Sequence, residues 1–277
     1  MRAPHISFDN ETKVFDAIAE AIDTDDNDYA TGMENIAIAF LYRQKAKERD
    51  CAFIDPHYVN GNPEKLAREL AGQPAEALFT APLNVYADNT NAPNDAYRQL
   101  FKNTVSVLQA SGHLPKTVIM PVGCQETGTV PHNILVVLEN FNSRDTKAAI
   151  IDQMGCQYKG VKQKIINDLC DCGIYNIKFN QHPISENRMD CATFTSFVAD
   201  LPLAGEKMYN FIDMCDNYAL RTRHYPVSTD MIDRQHREDK EYLVKAGYDF
   251  GADLRQETAA KQSPNDLKNF INKGGRL

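Results

Sequence analysis

Three short apolar runs in close succession constrain this chain most: Thr117-Val118-Ile119-Met120-Pro121-Val122, Asn133-Ile134-Leu135-Val136-Val137-Leu138 and Ala148-Ala149-Ile150-Ile151. Each is rich in β-branched residues and too short for a stable helix, so each predicts a strand buried on both faces. Phe141-Asn142-Ser143-Arg144-Asp145, between the last two, reads as a hairpin-like connection. Beyond them, residues 161–169 carry helical periodicity and Ile174-Tyr175-Asn176-Ile177-Lys178-Phe179 alternates as a strand. Residues 191–201 form a further predicted helix, ended by Pro202. The order strand, strand, strand, helix, strand, helix predicts an α+β fold, a small central mixed sheet flanked by helices.

Ahead of this core the chain reads as helical. Apolar stripes predict helices over residues 12–22 and 33–49, and Pro63 opens a third over 64–71. Residues 76–95 hold Pro82, Asn84, Asn89, Asn91, Pro93 and Asn94 and read as a long loop and a boundary. A helix over 95–111 leads into the strands, and two more are expected over 206–220 and 240–246, followed by a polar tail. The expected division is a helical N-terminal region over 1–75 suited to substrate recognition, a catalytic core over 76–250, and a tail over 251–277.

Hydrophobic residues at 43% and charged residues at 25% are ordinary globular values. No segment approaches the roughly 20 apolar residues of a membrane span. A net charge of −8 argues against nucleic acid as the main partner, because phosphate binding needs a basic face. Seven cysteines, at 51, 124, 156, 170, 172, 191 and 215, follow no disulfide-framework spacing and point to a reducing compartment, which makes the Asn10-Glu11-Thr12 sequon a chance match. Met-Arg-Ala-Pro-His opens on no apolar core with a small-residue cleavage site, so a cleavable secretory signal is not expected.

Cys191 stands where the polar run Asn187-Arg188-Met189-Asp190 gives way to an apolar helix. Backbone N–H groups and the helix dipole favour a thiolate there. A thiol nucleophile needs a base, the base an orienting acceptor, and the oxyanion a donor. His132 begins one predicted strand, Asp152 ends the next in Ile150-Ile151-Asp152-Gln153-Met154-Gly155, and Gln181 follows the last. If the two strands run antiparallel, His132 and Asp152 meet across neighbouring strand ends.

In this order the residues resemble the ubiquitin-like protein peptidases of the CE clan, whose papain-like core reads His on a strand, an acid in an Asp-Ser-Met-Gly-like segment, a Gln, and Asp-Cys-Gly-x-Phe. The matching segments here are His132, Asp152-Gln153-Met154-Gly155, Gln181 and Asp190-Cys191-Ala192-Thr193-Phe194, within residues 117–201. The resemblance implies Cys191 as nucleophile, His132 as general base and acid, Asp152 as its orienter, and Gln181 with the Cys191 backbone N–H as oxyanion hole. It also implies ubiquitin or a ubiquitin-like modifier, and conjugates of either, as partner, and no metal or organic cofactor. Asn133 replaces the Trp that SUMO-processing members carry after the His, and Ala192 replaces the Gly after the Cys. Gln181 also lies farther from Cys191 than is usual in the clan. The pattern is similar to that of a bacterial effector deubiquitinase acting in a host-cell cytoplasm. An acetyltransferase branch of the clan, the YopJ family, uses the same thiol geometry with acetyl-CoA.

Rival readings attach to several residues. Asp190 reads as the cap of the nucleophile helix. Glu139 rivals Asp152 but lies on the His132 strand itself, and Gln153 alternates to the opposite side from Asp152. His182, in a loop, reads as a surface residue. Cys170-Asp171-Cys172 lacks a second ligand pair for zinc. The basic cluster Arg221, Arg223, His224, Arg234, His236 and Arg237 is interleaved with acids and reads as a solvated face.

Overall fold

A computed structural model describes residues 30–56, 62–74, 76–86, 95–112, 115–125, 132–141, 143–155, 158–185 and 191–245. The expected helix over 12–22, the sequon, the expected tail over 251–277, Cys156 and Asp190 lie outside them. The described elements run α1 (Ala30–Glu48), β1 (Ala52–Ile54), α2 (Pro63–Leu70), β2 (Ala77–Thr80), β3 (Leu83–Tyr86), α3 (Asp95–Ala110), β4 (Thr117–Gln125) and β5 (His132–Glu139). They continue with β6 (Lys147–Ile151), α4 (Lys159–Asp171), β7 (Asn176–Phe179), α5 (Cys191–Leu203), α6 (Met208–Thr222) and α7 (Thr229–Lys245).

The strands form one mixed sheet in the order β1-β2-β4-β5-β6-β7, with β3 also paired to β4. β5 runs antiparallel to β4 and β6, whereas β1–β2, β2–β4, β3–β4 and β6–β7 are parallel. Every residue of β5 is buried, which is why its sequence reads as a continuous apolar run. Its side chains still alternate between faces. Ile134, Val136 and Leu138 join a core with Phe101 and Val105 of α3 and Val161 and Ile165 of α4. Leu135 and Val137 join a second core with Tyr42 of α1, Phe194 and Val198 of α5, Ile212 of α6 and Ile232 of α7. The fold is α+β, with helices on both faces of a central sheet.

The structure corrects several expectations. Residues 76–95 are not one long loop, for they contain β2 and β3. Ala77-Leu78-Phe79-Thr80 is buried throughout and docks on β4, tertiary burial that outweighs the turn-forming residues around it. β1 pairs with β2, so the division expected at residue 75 falls between neighbouring strands of one sheet. β7 starts later than the alternation suggests: α4 exits through Gly173 at φ 79°, and the Ile174 N–H returns to the Leu169 carbonyl at 2.9 Å. The helix expected over 240–246 begins at Thr229 and carries Arg234, His236 and Arg237. α5 continues past Pro202 by one residue.

Other local signals are realised as read. Asn62 caps α2 by accepting from the Lys65 N–H at 2.9 Å, with Pro63 in the first turn. Among the described residues no helix is long and apolar enough to cross a membrane, and no two cysteines are joined in a disulfide.

Candidate active site

The antiparallel register of β5 and β6 pairs Leu135 with Ile151, which brings the start of one strand beside the end of the other. His132 and Asp152 therefore meet, His132 Nε2 donating to Asp152 Oδ1 at 2.8 Å. This bond leaves Nδ1 as the ring nitrogen not turned to the carboxylate, and in the neutral form with the proton on Nε2 it carries the lone pair a base needs. The ring stacks on Tyr158, with centroids 4.5 Å apart and planes 15° from parallel. Tyr158 thus holds the ring plane while Asp152 holds its rotation.

Asp152 is completely buried and each of its polar groups has a partner. Oδ1 also accepts from the Met154 N–H at 2.8 Å, and Oδ2 accepts from Lys162 Nζ on α4 at 2.7 Å. Its backbone N–H donates to Asn180 Oδ1 at 2.8 Å, and its carbonyl accepts from Asn180 Nδ2 at 2.7 Å. Burial pushes the carboxyl toward its neutral form; the hydrogen bond and charge of His132, with the charge of Lys162, outweigh burial and hold it below the usual carboxylate range. Lys162 bonds the Gly155 carbonyl as well. The Asp152–Gly155 turn closes through a Gly155 N–H bond to the Asp152 carbonyl at 3.1 Å. Gly155 sits at φ 68°, and a Cβ there would lie 2.7 Å from the His182 carbonyl carbon, so only glycine fits.

Cys191 is the first residue of α5 and is 4% exposed. Its sulfur meets β5 at Asn133, whose Nδ2 lies 3.8 Å from Sγ. Consecutive strand residues face opposite ways. His132 and Asn133 therefore flank the open end of β5, the imidazole toward Tyr158 and α4, the amide toward α5. Helix α5 is braced from behind: Tyr42 Oη donates to the Thr195 carbonyl at 3.1 Å, and Lys45 Nζ reaches Ser196 Oγ at 3.0 Å and Asp200 Oδ2 at 2.9 Å. Thr193 Oγ1 lies 3.1 Å from His236 Nδ1 of α7, so part of the basic cluster packs on this helix.

Gln181 is placed differently from the role the resemblance implies. Its side chain is exposed, and its backbone N–H is held by both carboxylate oxygens of Asp216 on α6 at 3.1 Å. His182 bonds the same carboxylate through its backbone at 3.0 Å. Glu139, the rival acid, accepts from the Met208 N–H at 2.8 Å and anchors the start of α6 at the far end of β5 from His132. Burial pushes the thiols of Cys51 and Cys172 up, and that of Cys215 up to about 12 with Asp216 adding to it, so these three stay protonated.

Sequence reasoning missed Asn133, Lys162, Tyr158 and Asn180. Lys162 had a legible signal: it lies on the buried stripe with Val161, Ile165 and Leu169, where an ionisable side chain requires a partner. Asn180 is directly beside Gln181 and had none.

No protein-family model matches the chain, and no curated protein does. Solved structures do resemble it. The Legionella pneumophila effector protein RavZ matches at 13% identity and a TM-score of 0.36, over 61% of this chain and 51% of RavZ, so the chain spans about half of that protein. Xanthomonas XopD, described among the ubiquitin-like protein proteases, matches at 18% identity and 0.32, over 66% of this chain and 96% of its own. The ASFV pS273R protease matches at 11% identity and 0.38, over 69% and 66%. Two of these three are proteases. At such scores the likeness is a loosely shared arrangement of backbone elements.

Proposed function

We propose that this protein is a cysteine peptidase of the CE-clan type that cleaves after the Gly-Gly tail of ubiquitin or a ubiquitin-like modifier. The observation that carries this reading is the buried His132–Asp152 pair at the strand end where Asn133 touches the Cys191 sulfur. Cys191 is the nucleophile, His132 the base and acid, and Asp152 the orienting carboxylate. The thiol proton passes to His132 as sulfur attacks the glycine carbonyl. His132 returns a proton to the departing lysine amine, and water releases the thioester.

The cellular setting belongs to the same proposal. The protein acts as a bacterial effector in a host-cell cytoplasm, and the region before β2 contributes to recognition of the conjugate. The His132, Asp152 and Cys191 motifs support this reading.

Ubiquitin and SUMO carrying a C-terminal electrophile test it. An adduct with one modifier, lost in Cys191→Ala, is the expected result. No adduct with any modifier, together with acetylation of Cys191 by labelled acetyl-CoA, would replace the peptidase with a transferase.

A further inference from the structure

The oxyanion donor expected from the resemblance, Gln181, is exposed and tied through its backbone to Asp216. A polar side chain that does reach the sulfur is Asn133. From this geometry we propose that Asn133 is the side-chain oxyanion donor of the site. The proposal rests on Cys191 acting as an acyl-transfer nucleophile, whatever acyl group it takes.

Three observations carry it. Nδ2 of Asn133 stands 3.8 Å from Sγ. In a tetrahedral adduct the oxyanion is two bonds from sulfur, about 2.7 Å away, so an oxyanion formed on the Asn133 side of the sulfur can come within the roughly 2.7–3.1 Å an oxyanion hole needs. Asn133 is 4% exposed, and its Oδ1 has no hydrogen-bond partner among the described residues. Oδ1 is an acceptor and takes no part in holding an oxyanion; what favours Nδ2 as the donor is its burial, because a donor held away from bulk water stabilises a developing charge most strongly. Finally, Asn133 is fixed on a central strand between β4 and β6, opposite Gly123 of β4, a more rigid mount than a loop.

In the acylation step the thiol proton goes to His132, the C–S bond forms, and the carbonyl π pair moves onto oxygen. Asn133 Nδ2–H and the backbone N–H at the start of α5 receive that charge. The pair then re-forms the C=O bond and expels the leaving group.

The test compares two reactions of Cys191 in wild type, Asn133→Ala and the uncharged, similarly sized Asn133→Leu. Acylation by p-nitrophenyl acetate passes through an oxyanion; alkylation by iodoacetamide does not. In both variants acylation should fall by about a hundredfold. Alkylation should change by less than about threefold, which also reports an intact helix start. Equal losses in both reactions would make Asn133 a support for the thiol and overturn the proposal. Unchanged acylation, or a larger loss in Gln181→Ala than in Asn133→Ala, would overturn it too. A wild-type Cys191 inert to both reagents would remove the nucleophile itself and the peptidase reading with it. Loss of the acylation difference while a modifier probe still labels Cys191 would sink only the role of Asn133.

Discussion

At the scale of single residues the site is organised around Asp152. One carboxylate meets the imidazole of His132 and the ammonium of Lys162 in a fully buried position, and backbone N–H groups and Asn180 complete its surroundings. Asp152→Asn keeps the shape but loses the charge that orients the imidazole, so kcat should fall by several orders of magnitude while KM changes little; steady-state kinetics on the modifier that reacts checks this. Lys162→Met leaves the carboxylate's second oxygen buried without its cation. It should cost about 3 kcal/mol of stability, read from urea unfolding. The pH dependence has a definite sign. The Asp152 pKa is depressed in the fold, so its stabilising contribution is complete above the ordinary value near about 3.9 and disappears as pH falls through the depressed one. Acid unfolding of wild type should therefore steepen below that ordinary value, and Asp152→Asn should flatten this limb.

At the scale of elements, two strand ends and one helix start do the positioning. β5 and β6 were legible because both are continuous apolar runs, and their antiparallel register follows from a short connection. α5 was legible from a sharp change of polarity at Cys191. The contact of Asn133 with the thiol was not: it becomes visible only once α5 is laid against the sheet, between residues far apart in sequence. β2 and β3 were hidden for a similar reason, since their burial comes from β4 and not from their own flanks. The turn after β6 makes a prediction at this scale. Gly155→Ala forces a Cβ into the His182-Pro183 backbone at a left-handed φ, so the turn must shift and carry Asp152 with it. Activity should fall together with thermal stability, whereas Gly205→Ala, in open space, should strain its own turn and leave the site untouched.

At the scale of the whole molecule, the sheet divides two cores and the site lies where both reach one end of β5. Helices α3 and α4 support the His132–Asp152 side, and α1, α5, α6 and α7 support the thiol side. The region before β2 is part of this frame as well as a candidate for recognition, because α1 braces α5 through Lys45. Lys45 lies buried between Asp200 at 2.9 Å and Asp239 at 3.6 Å. Lys45→Met should destabilise the protein by about 3 kcal/mol in chemical unfolding, since it removes the cation nearest buried Asp239 and leaves Asp200 with Arg49 at 3.4 Å.

The central claim is that the thiol of Cys191 and the imidazole of His132 act as one unit. The rate of Cys191 alkylation by iodoacetamide as a function of pH, in wild type and His132→Ala, tests it most directly. The account predicts that wild type reacts well below the ordinary thiol pKa of about 8.5, and that His132→Ala moves the profile up toward that value. Superimposable profiles would contradict it.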